Sequence, residues 1–495
     1  MKFEGIVMKM LMIGMDGAQV STFMRGWTPY IASLIDKGSR LNLKEDLLSR
    51  GWNEIVTGES GVTTGALYNR AVLNGTYAWT LKFELGDIPG LGHAVKPIWQ
   101  VLNERNYRVG IMNVPTTYPA PSVKGFFVSG GGGGKAVTQE ATNKHCYPDE
   151  VLKFLLESGY IVDERLDSLL IEKKLYKPFD FFSRLVEKNE RRTQTFIDLA
   201  NRYLIDFGFV IFRSSANLAE FLLLPTWEAY IKGEPNIDLA FIDAVKFYYQ
   251  RFDEQIKRLV ESFQGAEVVF VADHSMAKRI YSVNFNSFLQ EIGYQKPSNS
   301  SRRTVDFVKR YKKWIPFSLR TALKRNSKTK SAFQSMSMVS FDPKTSLAFS
   351  MIIADNVRGI FINDKTRFGG PVLNEEIPKV KEEIIDIFNT HPTSIKYRFS
   401  AYSKPNTQTN SSQYFPDIII DLPDGYTASN DSKAFVSKFE TPKGPLGISS
   451  VTKGQLLCGK AHYPIAVTTN EWKVKVTPEK QDLRLIYDHI LEVFK

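Results

Sequence analysis

The chain has 495 residues, of which 43% are hydrophobic and 24% are charged, the composition of a globular protein that buries a sizeable core. Its apolar runs are all shorter than the ~18 residues of a membrane-spanning helix, which excludes a helical membrane protein. Cys146 and Cys458 are the only cysteines. This excludes a disulfide framework and a cysteine-ligated metal site, and we expect a reducing, cytoplasmic location.

The net charge of +11 has a local source. Residues 296–330 contain twelve lysines and arginines and a single acidic residue, so this segment accounts for the whole excess. The rest of the chain is electrically balanced, which argues against a protein that coats nucleic acid over its entire surface. The segment predicts a pair of basic helices within an insertion over 296–338. Their charged face either contacts solvent or binds an acidic polymer or an acidic membrane surface.

Strand-like and helix-like patterns alternate along the chain. The first apolar run has no small-residue cleavage site behind it and predicts a core strand, not a signal peptide. In chain order, the predicted elements are a strand at 10–15, helices at 29–37 and 96–105, strands at 108–114 and 125–129, a helical stretch at 148–204, a strand at 208–213, a helix at 240–263, and strands at 266–272, 347–353, 359–362 and 417–421. This rhythm predicts an α/β protein with a mostly parallel central sheet flanked by helices.

Acidic and imidazole side chains stand where apolar runs stop. Asp16 follows the first predicted strand, Asp273 and His274 follow the strand at 266–272, and His462 precedes another strand-like stretch. A single aspartate at a strand end is often only a helix cap. Several together, at the carboxyl edge of an open sheet, are the usual construction of a metal site. The sequence therefore predicts a metal-dependent hydrolase site.

An ordered series of motifs covers nearly the whole sequence. The series consists of IGMDGA at 13–18, Trp52 with the Thr-Gly pair at 57–58, PIWQVL at 97–102, NVPTTYP at 113–119, ADHS at 272–275, VNFNSFL at 283–289, RGIFIN at 358–363, FPD at 415–417 and GKAH at 459–462. It resembles the alkaline phosphatase superfamily, specifically its type I phosphodiesterase and nucleotide pyrophosphatase branch. The resemblance implies a single alkaline-phosphatase-like domain over 1–495, with helical insertions at 148–204 (a cap) and 296–338.

The resemblance also implies a site that clamps a phosphoryl group between two metal ions. One ion would be held by Asp16, Asp273 and His274, and His462 would belong to the other. Asn113 would contact the substrate. Zinc fits Asp and His ligands best, with manganese or magnesium as alternatives, and one or two ions are expected.

Two positions depart from the family pattern. The second metal site should have an Asp with a His four residues later, but Ala216 and Glu220 occupy these positions. Glu220 retains an oxygen that suits a hard cation. The nucleophile should fall on Leu48, which has no nucleophilic atom, so Ser49 beside it is the candidate nucleophile if the turn is one residue shorter.

The sequence therefore predicts a metal-dependent phosphoester hydrolase of the phosphodiesterase or nucleotide pyrophosphatase type, with a partly degenerate two-metal site and an anionic phosphoester substrate. Two alternatives stay open. The chain is a catalytically inactive relative that acts as a binding or scaffolding module, or it is a sulfatase or phosphotransferase on the same fold.

Overall fold

The computed structural model describes residues 8–90, 92, 94–131, 141–163, 169–170, 173–235, 237–298, 341–351, 358–430, 433–440, 447–448 and 457–495, without the side chains of 214–221. All but the first three residues of the predicted basic insertion at 296–338 lie outside these ranges. No helix within the described ranges is long and apolar enough to cross a membrane.

The strands of the described residues, in chain order, are β1 (Met10–Gly14), β2 (Ser39–Arg40), β3 (Arg70–Ala71), β4 (Trp79–Thr80), β5 (Val109–Met112), β6 (Gly125–Val128), β7 (Cys146–Tyr147), β8 (Phe207–Ile211), β9 (Glu267–Val271), β10 (Ser275–Lys278), β11 (Tyr281–Val283), β12 (Ala348–Phe349), β13 (Gly359–Ile362), β14 (Ser400–Ser403), β15 (Ile418–Asp421), β16 (Tyr426–Ala428), β17 (Val436–Lys438), β18 (Cys458–Ala461) and β19 (Ala466–Thr468).

The α-helices are α1 (Val20–Phe23), α2 (Pro29–Lys37), α3 (Gly51–Thr57), α4 (Gly61–Thr64), α5 (Asp87–Gly90), α6 (Ile98–Glu104), α7 (Glu150–Glu157), α8 (Pro178–Tyr203), α9 (Arg213–Ile231), α10 (Leu239–Glu261), α11 (Phe285–Glu291), α12 (Lys365–Phe368), α13 (Ile377–Thr390), α14 (Pro392–Tyr397) and α15 (Arg484–Val493). Short 3₁₀ turns occur at Asn143–His145, Asn374–Glu376 and Asn410–Tyr414.

An eight-stranded sheet forms the centre of the molecule, in the spatial order β2-β19-β9-β1-β8-β5-β6-β7. The five strands from β9 to β6 are parallel. The pairings at the two margins, β2 with β19, β19 with β9, and β6 with β7, are antiparallel. The predicted fold class, a mostly parallel sheet between helices, is confirmed.

Helices cover both faces of this sheet because its central strands are apolar on both sides. In β1, Leu11 and Ile13 join one core cluster with residues of α2, α8 and α10. Met10 and Met12 point the other way and join a second cluster with residues of α3, α6 and α15. Every residue of β1, β8 and β9 is buried, which is typical of the middle of a parallel sheet.

The segment predicted as a helical cap, 148–204, contains α7 and the long helix α8. Helix α8 packs against α10, where the ring of Phe182 meets those of Phe241 and Tyr248. The division of the chain into one domain with two insertions stays a prediction.

The carboxyl ends of three neighbouring strands define one edge of the sheet. The backbone N–H of Met15 donates to Val271, at the end of β9, and that of Phe212, after β8, donates to Gly14, each at 2.8 Å. These hydrogen bonds align the carboxyl ends of the three strands along the edge of the sheet. The residues that follow are therefore side by side: Asp273 after β9, Asp16 after β1 and Arg213 after β8.

Candidate metal centre

Asp16, Asp273 and His274 come together at this edge. One potential ligand atom from each lies within 4.8 Å of the other two. His274 Nε2 is 3.7 Å from Asp16 Oδ1 and 3.6 Å from Asp273 Oδ2. Ligands of one tetrahedral ion with ~2.0–2.2 Å bonds lie about 3.3–3.6 Å apart. The spacing of the three side chains therefore fits a single bound cation.

His274 has the protonation state of a metal ligand. Its Nδ1 lies 2.8 Å from the carbonyl oxygen of Ser275, which can only accept, so Nδ1 carries the proton and Nε2 presents its lone pair to the carboxylates. Burial of the ring and the positive charge of Lys460 lower the pKa of His274 to about 3. The imidazole is therefore neutral at physiological pH.

Asp273 presents an oxygen without a protein partner. The hydroxyl of Tyr68 donates to Oδ2 at 2.9 Å. The other oxygen, Oδ1, is buried and has no hydrogen-bond partner among the described residues. Since a buried polar atom left unpaired destabilises a fold, an exception of this kind calls for an explanation such as an ion. A cation bound by this carboxylate would supply one, so the residues fit a metal.

Asp16 is held from the opposite side by Trp52, whose Nε1 donates to Oδ2 at 3.3 Å. The indole reaches this position because residue 14 is glycine, where a Cβ atom would lie 2.9 Å from the Trp52 ring. Burial and the nearby charge of Asp273 raise the pKa of Asp16 to about 6, against the lowering effects of His274, Arg213 and Lys460. A bound cation would favour the ionised form.

Two basic side chains that sequence reasoning missed also enter the site. Arg213 opens α9, with Nε 3.7 Å from Asp16 Oδ2 and Nη1 2.7 Å from Asp163 Oδ2. Lys460 lies in β18, and its Nζ is 3.2 Å from the centre of the Tyr68 ring. Burial lowers the pKa of Lys460 to about 8, against the opposing effects of the Asp273 and Asp16 charges. The sequence offered one signal for Arg213, which follows a predicted strand just as Asp16 and Asp273 do.

His462 is not brought to this cluster. Its Nδ1 lies 2.6 Å from Asp424 Oδ1, and its Nε2 lies 3.3 Å from Nη1 of the buried Arg358. Both ring nitrogens are therefore engaged by protein groups. Nε2 also lies 3.5 Å from Asp421 Oδ1. The ligand role predicted for His462, at the second ion with Glu220, stays a prediction.

The remaining predicted ligand, Glu220, lies in α9, but its side chain and that of Ala216 are outside the described residues. The end of β8 meets the cluster through Arg213 instead. Asn113 is buried, and its amide donates to the carbonyl of Val162 and accepts from the hydroxyl of Tyr160. Its predicted contact with substrate stays a prediction.

Ser49, the candidate nucleophile, is buried in the loop before α3. Its Oγ donates to Asp46 Oδ2 at 2.8 Å and accepts from the backbone N–H of Gly61 at 3.2 Å. Gly51, the first residue of α3, lies close to the backbone of Asp273, since a Cβ atom on it would be 2.4 Å from the Asp273 carbonyl oxygen. Leu48 points elsewhere and packs in a small apolar cluster.

A mostly parallel sheet between helices, with two aspartates and a neutral histidine gathered at its carboxyl edge, places the protein in the class of alkaline-phosphatase-like folds. The family model described as type I phosphodiesterase / nucleotide pyrophosphatase matches residues 10–435. The chain belongs to this family, as its motifs predicted, and is a phosphoester hydrolase of the phosphodiesterase and pyrophosphatase type. No curated protein matches the sequence significantly.

Solved structures match this chain over nearly its whole length at low sequence identity. Phosphonoacetate hydrolase from Sinorhizobium meliloti 1021, in complex with phosphonoacetate, is 9% identical with a TM-score of 0.51, over 98% of this chain and 96% of that one. Alkaline phosphatase PafA is 12% identical with a TM-score of 0.48, over 99% and 96%. Murine ectonucleotide pyrophosphatase / phosphodiesterase 5 is 11% identical with a TM-score of 0.43, over 98% and 95%.

Proposed function

We propose that this protein is a metal-dependent hydrolase of phosphodiesters or nucleotide-type esters, with one divalent cation held by Asp16, Asp273 and His274. The observation that carries the proposal is the buried cluster of Asp16, Asp273 and His274, in which one potential ligand atom from each side chain lies within 4.8 Å of the other two. Family membership supplies the class of reaction. The cation, when bound, polarises a phosphoryl oxygen and stabilises the charge that develops at phosphorus.

Zinc suits this ligand set best, since one neutral imidazole and two carboxylates are among its usual protein ligands. Manganese or magnesium are the alternatives, because both accept carboxylate oxygens. Three protein ligands leave a coordination position for substrate, as in catalytic rather than structural sites.

Ser49 is the proposed nucleophile. Its Oγ would form a bond to phosphorus as the ester bond to the leaving alcohol breaks, and water would then release the phosphoryl group. Asp46 Oδ2, which accepts the Ser49 hydroxyl at 2.8 Å, is placed to take its proton. Burial raises the pKa of Asp46, against its hydrogen bonds from Ser49 and Leu48, which makes its carboxylate a better base.

One observation favours a non-catalytic relative as the second candidate. Leu48 occupies the position where the family resemblance implies the nucleophile, and it is buried among Val62, Leu67, Phe415 and Ile419. A protein with this residue there would keep the fold and bind a phosphoester or a partner without cleaving it.

Replacement of one proposed ligand tests the function. Asp273→Asn should reduce bound metal from about one per chain to less than ~0.2, because it removes a charged ligand from a three-ligand site. Hydrolysis of a bis-aryl phosphate should fall at least about 100-fold, since a bound metal supplies several kcal/mol of transition-state stabilisation. Metal content is measured by mass spectrometry of dialysed protein, and hydrolysis by release of the phenol.

Asp253→Asn is the matched control. Asp253 is also a buried carboxylate, but it accepts the backbone N–H groups of Tyr30 and Ile31 at the start of α2. Its replacement should leave metal content and hydrolysis unchanged. Wild-type protein with less than ~0.2 metal per chain and no hydrolysis of mono- or diesters would favour the binding module over an enzyme.

A cytoplasmic location is also proposed, on the small number of cysteines alone. Both are buried in the structure. Fractionation of the source cells, followed by immunoblotting, tests it.

A further inference from the structure

Two basic side chains, Arg213 and Lys460, lie near the two carboxylates of the candidate metal centre. Arg213 Nε lies 3.7 Å from Asp16 Oδ2, while Lys460 lies on the ring of Tyr68, the residue whose hydroxyl binds Asp273. Asp163 on the far side of Arg213 holds this guanidinium in place at 2.7 Å. These cations are fixed by the fold and are not mobile surface groups.

Both basic side chains keep donors for a ligand. Within the described part of the chain, Lys460 makes no hydrogen bond and no ion pair within 4 Å, and its neighbour is the aromatic face of Tyr68. Arg213 uses Nε and Nη1 toward Asp16 and Asp163, and its side chain is 34% exposed. Ammonium and guanidinium groups of this kind are the usual ligands of phosphoryl oxygens.

Arg50 differs from these two cations although it is also near the site. Its guanidinium donates to the backbone carbonyls of Leu67, Tyr68 and Leu81. Its N–H donors are therefore used by backbone carbonyls, and it stabilises the loop that contains Ser49.

We propose that Lys460 and Arg213 bind the non-bridging phosphoryl oxygens of the substrate and take the place of a second metal ion, so that the centre works with one cation per chain. This inference rests on the proposed function. Its physical reason is charge: two fixed cations beside Asp16 and Asp273 repel a second divalent ion, whereas a single ion leaves the site positive and able to accept an anionic phosphoryl group.

Inorganic phosphate is the probe, titrated by calorimetry into the metal-loaded full-length protein. Wild type should contain one metal per chain and bind phosphate. Lys460→Met should retain one metal and lose at least about tenfold in phosphate affinity, because a charge-assisted contact is removed. Lys460→Arg should retain most of that affinity, since it keeps the charge.

Lys278→Met is the matched control. Lys278 lies in β10, which pairs directly with β18, and its Nζ bonds Glu228 at 2.8 Å, away from the cluster. This replacement should leave both the metal content and the phosphate affinity unchanged. If Lys460→Met fails to fold, Arg213→Gln replaces it with the same expected loss.

Two results overturn the inference: two metals per wild-type chain at saturation, or unchanged phosphate affinity in folded Lys460→Met. Wild-type protein without metal overturns the proposed function instead, and the metal count separates the two failures.

Discussion

Two buried histidines lie at the same end of the two-stranded sheet formed by β10 and β18, but their imidazole rings have different surroundings. Strands β10 and β18 pair so that Ser275 faces Ala461, which places His274 and His462 together at one end. His274 presents a free Nε2 to two carboxylates at 3.6–3.7 Å. His462 is bound by Asp424 at 2.6 Å and by Arg358 at 3.3 Å.

The difference lies in how completely the protein itself pairs the polar atoms of each cluster. At His274 the distances to the two carboxylates are too long for hydrogen bonds, and Oδ1 of Asp273 has no hydrogen-bond partner among the described residues. At His462 the protein satisfies both ring nitrogens by itself. An incompletely paired cluster needs a ligand, whereas a fully paired one stabilises the fold.

The largest expected effect tests this comparison directly. His274→Ala should weaken metal affinity on the order of 1,000-fold, more than the 10–100-fold that loss of an outer partner produces, because it removes a ligand. His462→Ala should leave metal affinity unchanged while lowering thermal stability. Competition with a metal-binding dye measures affinity, and a similar loss in both variants would contradict the separation of the two clusters.

The pH dependence of stability should also have opposite signs in the two clusters. Burial and Asp273 raise the pKa of Asp16 to about 6, so the carboxyl stabilises the fold while protonated and this contribution is lost as pH rises through about 6. Asp424 behaves in the opposite way. Although burial would raise its pKa, the hydrogen bond from His462 lowers it, so its contribution is present at neutral pH and lost in acid.

Metal-free protein in excess chelator tests these signs. Asp16→Asn should increase the free energy of unfolding at pH 8 by about 2–3 kcal/mol, since two pKa units correspond to nearly 3 kcal/mol. This gain should vanish below pH 4. Asp424→Asn should lower the melting temperature at pH 7 and have little effect in acid. A loss of stability for Asp16→Asn at pH 8 would show that its ionised form is compensated in the fold.

The clustering of Asp16, Asp273 and His274 was predictable from sequence because a local rule places these residues. Asp16 and Asp273 each follow an apolar run, and in a parallel sheet the carboxyl ends of strands share one edge. The same rule accounts for the fold class and for the position, though not the ends, of most strands. The strand predicted at 108–114 is Val109–Met112, because pairing with β6 and β8 ends there.

The rest of the site depends on contacts between distant parts of the chain. Lys460 and His462 are two residues apart, and no local pattern decides which one meets the cluster. The choice follows from the β10–β18 register and from Asp424, which holds His462 from 38 positions upstream. The sequence also left open whether Ser49 is the nucleophile, because Leu48 stands at the position that the family resemblance implies. Its partner Asp46 is visible only once the loop is folded.

The smallest predicted effect concerns the partner of a ligand. The Tyr68 hydroxyl donates to Oδ2 of Asp273, the oxygen that lies 3.6 Å from His274 Nε2, and so helps to fix the orientation of this carboxylate. Tyr68→Phe removes this bond but keeps the ring under Lys460. Metal affinity should fall about tenfold, as expected for an outer partner, while phosphate affinity of the metal-saturated protein should change little.

Tyr77→Phe is the control for this change, because its buried hydroxyl also donates to a single oxygen, Asn363 Oδ1, at 2.9 Å. It should cost about 1 kcal/mol of stability and leave metal affinity intact. If Tyr68→Phe binds metal as tightly as wild type, the orientation of Asp273 is fixed by the backbone after β9 alone. If it loses phosphate affinity as well, Lys460 is held by the hydroxyl rather than by the ring.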